Sequence, residues 1–260
     1  CFLGRYRVST ISSQEATKEV FKSGFVTLIG RPSAGKSSLL NALMGKKLAI
    51  SSPTAQTTRH RFRAVHTTDS HQIIIVDTPG VHKPHDTLGE ELNTTALKSL
   101  EGIDVAAFVL DASAPFGTGD EWVISQLAQC SMPKLLVLSK IDLVTQEELD
   151  LQRQRALEAG QWDGVVALSS VTGEQIDTFI ELVEQFLPAG PLWFPADMKT
   201  DQPIEVIIAE FIREKILLTA HDEVPHAVGV VVEDMEYNRR KNLEKIYASV
   251  YVERDSQKGI

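Results

Sequence analysis

Short apolar runs rich in Val, Ile and Leu alternate along the chain with longer segments of helical periodicity. The apolar runs occupy residues 25–29, 61–68, 71–77, 104–111, 134–139 and 165–169. The helical patterns cover residues 36–44, 87–101, 119–130, 146–159 and 173–187. This alternation predicts an α/β fold, a doubly wound and mostly parallel sheet. Only Asp69 and Ser70 separate the second and third runs, which predicts a hairpin with one antiparallel edge strand.

The pattern changes near both ends of this alternating region. Residues 1–23 lack periodicity and are interpreted as a disordered N-terminal extension, so the first domain is predicted over 24–190. Three prolines and a glycine in 187–197 indicate a linker. Beyond it, residues 191–260 form a second unit that begins helix, strand, strand. Its predicted elements are an amphipathic helix over 204–220 with Val206, Ala209, Ile212, Ile216 and Leu217 on its apolar face, and strands over 227–237 and 245–255.

Composition and charge narrow the class of protein. The chain has 260 residues, 43% of them hydrophobic, which excludes disorder as its main state. Its net charge of −9 argues against coating nucleic acid through bulk charge. The two cysteines, Cys1 and Cys130, cannot form a disulfide scaffold. No apolar stretch approaches the roughly 18 residues that a transmembrane helix needs.

The segment GRPSAGKS at 30–37 matches the P-loop pattern and lies between a predicted strand and a predicted helix. Backbone N–H groups at the start of that helix would hold phosphates. Lys36 would reach the β- and γ-phosphates, and the Ser37 hydroxyl would ligate Mg²⁺. The candidate phosphate-binding residues are Gly30, Ser33, Ala34, Gly35, Lys36, Ser37 and Ser38.

Two further segments complete a candidate phosphate switch. DTPG (77–80) ends the third apolar run: Asp77 would hold Mg²⁺ through water, and Gly80 would donate its N–H to the γ-phosphate. In segment 52–61, Thr58, with Thr57 as second choice, would close onto Mg²⁺ and the γ-phosphate. The basic run from Arg59 to Arg63 is either a solvated loop or an RNA or partner contact.

Base recognition is assigned to SKID (139–142) and LSS (168–170), which follow the next two apolar runs. The Asp142 carboxylate can accept two hydrogen bonds from guanine, a donor pair that adenine lacks, so GTP is favoured over ATP. Lys140 would pack over the base, and Ser169 and Ser170 would supply a backbone donor to guanine O6.

In this order and spacing GRPSAGKS, QTTRH, DTPG, SKID and LSS resemble the Era family of bacterial GTPases. WFPAD, EFIREKIL, HDEVPHAVGVVVE and VERDSQKGI resemble its linker and the start of its KH domain, so the resemblance covers about 24–260. It implies a GTPase domain joined to a type II KH domain, with GTP or GDP and Mg²⁺ as ligands. It also implies a protein that binds 16S rRNA and assists 30S subunit assembly, in the cytoplasm with peripheral contact to the inner membrane face. We expect a monomer.

Three positions depart from the family pattern: Ser33, Ser139, and Ser170, which with Ser169 replaces the family's S-A and keeps the backbone donor. Ser33 stands where the family has Asn, which leaves potassium activation open. Ser139 replaces the Asn of N-K-x-D, for which we expect a loss of about 1 kcal/mol in nucleotide affinity. Val81 stands where many switch GTPases place a water-orienting glutamine, so intrinsic hydrolysis should be slow, with Lys36, Thr58 and Gly80 as the catalytic candidates.

The same resemblance places the G-x-x-G loop of the KH domain immediately after SQKGI, where this sequence reaches Ile260. We therefore expect residues 191–260 to be the linker and the N-terminal part of a KH domain truncated before that loop, with weakened rRNA binding. One alternative is a nucleotide-sensing RNA-binding assembly module with little turnover. An ATP-using P-loop kinase is disfavoured by Asp142 and by the QTTR segment.

Overall fold

The computed structural model describes residues 20–50, 62–77, 102–219 and 228–253. Its strands are β1 (Lys22–Ile29), β2 (Phe62–Thr67), β3 (His71–Asp77), β4 (Val105–Asp111), β5 (Lys134–Ser139), β6 (Gly164–Ala167), β7 (Gly229–Asn238) and β8 (Leu243–Tyr251). Its helices are α1 (Lys36–Met44), α2 (Thr118–Leu127), α3 (Gln146–Ala159), α4 (Ile176–Phe186) and α5 (Ile204–Thr219). The helix predicted over 87–101 lies outside the described residues.

Six strands form one sheet in the order β2-β3-β1-β4-β5-β6. All neighbouring pairs are parallel except β2 and β3, which are antiparallel. The predicted doubly wound sheet with one antiparallel edge strand is therefore confirmed. The sheet brings the carboxyl ends of β1, β3, β4 and β5 to one edge, which is where open α/β sheets bind ligands.

Helices cover both faces of this sheet. On one face, Leu39 and Leu40 of α1 and Phe179 of α4 pack in a core with alternate strand residues. On the other, Val123 of α2 and Ala156 of α3 pack against the strand residues between them. Burial on both faces explains why the strands read as continuous apolar runs in the sequence.

The first strand begins earlier than the apolar pattern suggests. Lys22 lies in β1: its N–H donates to the Ser70 carbonyl (3.1 Å), and its ammonium donates to the Glu184 carbonyl (2.9 Å). Lysine and serine carry no hydrophobic signal, so periodicity could not include this start. The strand therefore opens two residues before position 24.

The second unit has the predicted order of helix, strand and strand, with β7 and β8 paired antiparallel. The buried face of α5 differs from the predicted one. Ala209 and Leu217 are buried, but Val206 is exposed, and the buried set includes Arg213 and Glu214. Glu214 is paired with Lys47 in the segment that follows α1, and Arg213 with Glu210 at 2.6 Å. These ion pairs allow charged residues to occupy the inner face of α5.

Among the helices of the described ranges, none has the length and apolar character needed to cross a membrane.

Candidate functional site

The P-loop connects the end of β1 to the first residue of α1. Gly35, immediately before α1, is left-handed (φ 94°), and no acidic residue occupies the first turn of the helix. The positive end of α1 is therefore left available for an anion. At Gly30, a Cβ would lie 2.3 Å from the Val109 carbonyl oxygen of β4, so only glycine allows the loop to pass this strand.

Lys36 is buried at the start of α1, as a phosphate-binding lysine would be. Its ammonium donates to the carbonyl oxygens of Gly30 (3.0 Å) and Arg31 (2.8 Å). Burial lowers the pKa of Lys36 to about 8, and the negative charge of Asp77 offsets part of this effect. A phosphate would supply the second charge that holds the proton on this nitrogen.

Ser37 and Asp77 meet although they are far apart in the sequence. The Ser37 hydroxyl donates to Oδ2 of Asp77 at 3.0 Å, and Asp77 is fully buried as the last residue of β3. The register of β1 and β3, which pairs Leu28 with Asp77, creates this contact. A hydroxyl and a carboxylate are the hard oxygen ligands that Mg²⁺ prefers, so this pair fits the expected metal.

Ser139 joins the base-recognition segment to the P-loop. It is buried at the end of β5, and its hydroxyl lies 2.7 Å from the Ala34 carbonyl oxygen and 3.0 Å from that of Leu110. Although serine is shorter than the asparagine expected by resemblance, it still makes a contact between the two segments.

Asp142 and Ser169 also come together, from different loops. The Ser169 hydroxyl donates to Oδ1 of Asp142 at 2.5 Å, and the Ser169 Oγ in turn accepts the N–H groups of Val171 (3.2 Å) and Thr172 (3.1 Å). This network fixes the orientation of an exposed carboxylate next to the P-loop edge. Ser170 follows it in the same loop, half-buried.

The structure thus brings together the candidate residues of segments 30–38, 77, 139–142 and 169–170. Thr58 and Gly80 lie outside the described residues, as do Thr57, Val81 and the basic positions 59–61. Their predicted roles stay predictions.

Two contacts at this edge were missed by the sequence analysis. Lys140 pairs through its ammonium with Oδ2 of Asp111 at 2.5 Å, and Asp111 ends β4. Arg31, inside the P-loop, pairs with the buried Asp120 in the first turn of α2 at 2.9 Å. Asp111 could have been found as a polar residue at a strand end, whereas the Arg31–Asp120 contact depends on how α2 packs.

Comparison with known proteins agrees with this geometry. A family model described as a 50S ribosome-binding GTPase matches residues 25–140. GTPase Era from Crocosphaera subtropica is 42% identical over 255 residues, which cover 97% of this chain and 80% of that protein. GTPase Era from Clostridioides difficile is 42% identical over 243 residues, with coverages of 93% and 82%.

Two solved structures are also similar over most of the chain. Era in complex with MgGDPNP and nucleotides 1506–1542 of 16S ribosomal RNA superposes with a TM-score of 0.83 at 33% identity, covering 92% of this chain and 81% of that one. A variant of Aquifex aeolicus Era bound to GDP and AlF4⁻ gives a TM-score of 0.81 at 32% identity, with the same coverages.

The sheet, the P-loop and the Asp142 segment define a P-loop GTPase domain. The similarity extends beyond that domain to nearly the whole chain. The chain belongs to the Era family of GTPases.

Proposed function

We propose that this protein is a GTP-hydrolysing switch that binds 16S ribosomal RNA and assists assembly of the 30S subunit. One observation carries the GTPase part. Ser37 donates to Asp77, whose negative charge also acts on the buried Lys36, at the same sheet edge where Ser169 holds Asp142. Phosphate, metal and base recognition are thereby supported in one place.

The phosphates would be held by the P-loop, from Gly30 to Ser38. The buried Lys36 ammonium would exchange its two carbonyl partners for β- and γ-phosphate oxygens, which restores a full positive charge in the site. Ser37 would ligate Mg²⁺ directly and Asp77 would hold it through water. Held there, Mg²⁺ would supply positive charge against the charge that develops on the phosphates.

Guanine would be read by Asp142, whose two oxygens accept from the N1–H and the 2-amino group. The Ser169 hydroxyl donates to Oδ1 and so fixes the plane of the carboxylate. Each carboxylate oxygen has two lone pairs, so both oxygens can still accept from the base. The Ser169 N–H donates to the Glu174 carbonyl at 3.1 Å, so of the two expected backbone donors the Ser170 N–H would meet guanine O6. Thr58 and Gly80 would close on the γ-phosphate from the segments that lie outside the described residues.

Turnover is favoured over the low-turnover alternative because the relatives are named GTPases and one of them is bound to GDP and AlF4⁻. We expect a slow intrinsic rate that small subunits or rRNA stimulate. An Era relative is in complex with nucleotides of 16S rRNA, which supports the same partner here. We further propose a monomeric cytoplasmic protein with peripheral contact to the inner membrane face.

Base specificity provides the sharpest test. In Asp142→Asn the side-chain amide donates a hydrogen bond where the carboxylate accepted one from the 2-amino group of guanine. Xanthosine triphosphate carries a carbonyl at that position, so it should replace GTP as the preferred nucleotide. Asp150→Asn, an exposed carboxylate on α3, is the matched control and should keep GTP. Displacement of labelled GTP by a modest excess of ATP, or an unchanged preference in Asp142→Asn, would contradict the assignment.

Turnover itself is measured in single-turnover hydrolysis with and without 30S subunits. Stimulation by the subunits supports a switch that acts in ribosome assembly. Absence of both basal and stimulated hydrolysis would favour the alternative of a nucleotide-sensing module.

A further inference from the structure

The ammonium of Lys140, the lysine expected to pack over the base, already has a partner within the protein. It donates to Oδ2 of Asp111 at 2.5 Å, and Asp111 is the last residue of β4. In the part of the chain that the structure describes, this ammonium has no second hydrogen bond or ion pair. Its charge is thus engaged by a carboxylate, which leaves the apolar stem of Lys140 as the part that can contact a base.

The Asp111 carboxylate is itself held in a fixed orientation. Its Oδ1 accepts the backbone N–H (2.9 Å) and the hydroxyl group (2.6 Å) of Ser113. Asp111 lies opposite Ser139 in the register of β4 and β5, and the Ala112 N–H donates to the Ser139 carbonyl at 3.0 Å. One carboxylate oxygen therefore fixes the group, and the other is presented to the residue that follows Ser139.

The backbone of Lys140 is held as well as its ammonium. Its φ of 61° is left-handed, a conformation that residues other than glycine rarely adopt. Its carbonyl accepts the Leu143 N–H at 3.0 Å, in the short 3₁₀ helix over Ile141–Leu143. Between these two ends, Cε of Lys140 passes beside the P-loop, 3.9 Å from the place that a Cβ on Gly35 would occupy. The stem is thus anchored at both ends where it passes the P-loop.

This anchoring matters because a lysine stem is flexible. A free lysine side chain gives up much rotamer freedom when a ligand orders it. Since the ammonium is already paired with Asp111, the stem is ordered before a base binds, and binding loses less conformational entropy. The two charges also offset each other, so the pair adds no net charge beside the phosphate site. What Asp111 contributes to a nucleotide is therefore the position of Lys140 and not an attraction of its own.

We propose that Asp111 is a positioning residue of the nucleotide site: oriented by Ser113, it holds the ammonium of Lys140 so that the lysine stem lies ordered across the guanine base. This inference rests on the proposed function, which makes a guanine nucleotide the ligand. It adds the end of β4 to the base-recognition segments 139–142 and 168–170, and Asp111 acts there through Lys140 rather than by touching the nucleotide.

A double-mutant cycle on GDP affinity, measured by titration with fluorescent GDP, tests the link between Asp111 and Lys140. Asp111→Asn keeps the size of the side chain and removes its charge, and it should weaken GDP binding roughly three- to tenfold. Lys140→Met keeps an unbranched apolar stem without the ammonium and should lose a similar factor. The double variant should bind GDP no more weakly than Lys140→Met alone, because without the ammonium Asp111 has nothing to hold. Losses that multiply in the double variant would show that Asp111 acts independently of Lys140, and would overturn the inference.

Two further variants separate positioning from a general effect on the fold. Ser113→Ala removes one of the two donors that orient Asp111 and should weaken GDP binding about two- to threefold. Asp163→Asn is the matched control, because Oδ2 of Asp163 accepts the Lys134 N–H at 2.8 Å at the opposite end of β5. This control should keep the GDP affinity of the wild type.

Single-turnover GTP hydrolysis provides a readout that a purely structural role would not give. Asp111→Asn should raise the half-saturating concentration by the factor seen with GDP and leave the rate constant at saturation within about twofold of the wild type, because Lys140 serves the base and not the γ-phosphate.

Three results would count against these assignments, and they differ. A lower rate constant at saturation with unchanged half-saturation, or wild-type GDP affinity in both Asp111→Asn and Ser113→Ala, refutes positioning by Asp111 and leaves the proposed function standing. A wild-type chain that binds GDP without hydrolysing GTP contradicts only the turnover part of the proposed function, and the GDP cycle still decides on Asp111. A wild-type chain that binds no guanine nucleotide refutes the proposed function and this inference with it.

Discussion

Removing one buried hydroxyl should loosen the nucleotide site without touching the nucleotide. Ser139 is 1% exposed, and its Oγ lies 2.7 Å from the Ala34 carbonyl oxygen and 3.0 Å from the Leu110 carbonyl oxygen. One hydroxyl proton serves these two acceptors. Ser139→Ala removes it and leaves a carbonyl in the P-loop without this donor, which should destabilise the fold by about 1–2 kcal/mol.

The effect on nucleotide binding follows from the same bond, because Ser139 connects the base segment to the P-loop. A hydrogen bond worth about 1 kcal/mol corresponds to roughly a fivefold loss in GDP affinity. For a protein of this size the stability loss corresponds to a drop in Tm of roughly 2–8 °C. Both are measured on the same preparation, by titration of fluorescent GDP and by thermal unfolding.

Ser125→Ala is the matched control. Its hydroxyl makes an equally short bond, 2.7 Å to the Trp122 carbonyl, but on the exposed surface of α2. It should change neither quantity. Ser139→Asn carries two N–H donors and should bind GDP more tightly than Ser139→Ala. If Ser139→Ala binds GDP as tightly as the wild type does, the hydrogen bond between Ser139 and the P-loop makes no contribution to nucleotide affinity.

Four further predictions concern the P-loop. In the nucleotide-free protein Lys36 loses its proton near pH 8, whereas in the GDP-bound protein the phosphates keep it protonated. GDP affinity should therefore fall up to roughly tenfold from pH 8 to 9. Lys36→Arg should remove this pH dependence, because arginine stays protonated. The free energy of unfolding of the nucleotide-free chain should rise between about pH 8 and 10.5, because in this range Lys36 is protonated in the unfolded chain and neutral in the folded one. Urea unfolding at several pH values measures this, and a free energy that falls over the range would contradict a buried Lys36. Arg31→Ala and Asp120→Ala should each weaken GDP binding by roughly 1–2 kcal/mol, because each removes one partner of the 2.9 Å pair. The double variant should lose much less than the sum of the two single losses, and additive losses would show that the pair is unimportant. Gly30→Ala should abolish nucleotide binding because its Cβ would lie 2.3 Å from a β4 carbonyl oxygen. Gly117→Ala should bind normally, because the nearest atom to its Cβ, the Pro115 carbonyl oxygen, would lie at 4.0 Å, an ordinary contact distance.

The nucleotide site could be predicted from the sequence because its residues come from strand ends. A parallel sheet places the carboxyl ends of its strands at one edge, so Asp77 and Ser139, each the last residue of an apolar run, had to lie near the P-loop. The helix over Lys36–Met44 was predicted with the bounds that the structure shows, because the P-loop motif itself fixes where the helix starts. Residues that are far apart in the sequence thus become neighbours when each of them ends a strand of the same parallel sheet.

The contacts that tune the site could not be predicted in this way. Asp120 lies in the first turn of α2, and only the packing of that helix on the sheet brings it to Arg31. The same holds for α5, where an apolar periodicity suggested Val206 as an inward residue. Glu214 is buried there instead, because Lys47 from the first domain supplies its counter-charge. Partners from distant segments override periodicity whenever they satisfy a buried charge.

The linker shows this most clearly, because its prolines and glycine indicated only a linker and gave no sign of its contacts. Gln72, fully buried in β3, accepts the N–H groups of Trp193 (2.8 Å) and Phe194 (3.0 Å) and donates to the Phe194 carbonyl (2.9 Å). Its remaining amide hydrogen goes to Thr67 on β2 at 2.9 Å, so both ends of the side chain are bonded. The linker is therefore attached to β3, the strand that ends at Asp77. Other strands add to this attachment: the Ser23 hydroxyl of β1 donates to the Pro191 carbonyl (2.6 Å), and the Val65 N–H of β2 donates to the Lys199 carbonyl (2.9 Å). The chain that leads to the second unit consequently starts from a fixed position on the nucleotide-binding sheet, through polar contacts that the apolar runs of the sequence conceal.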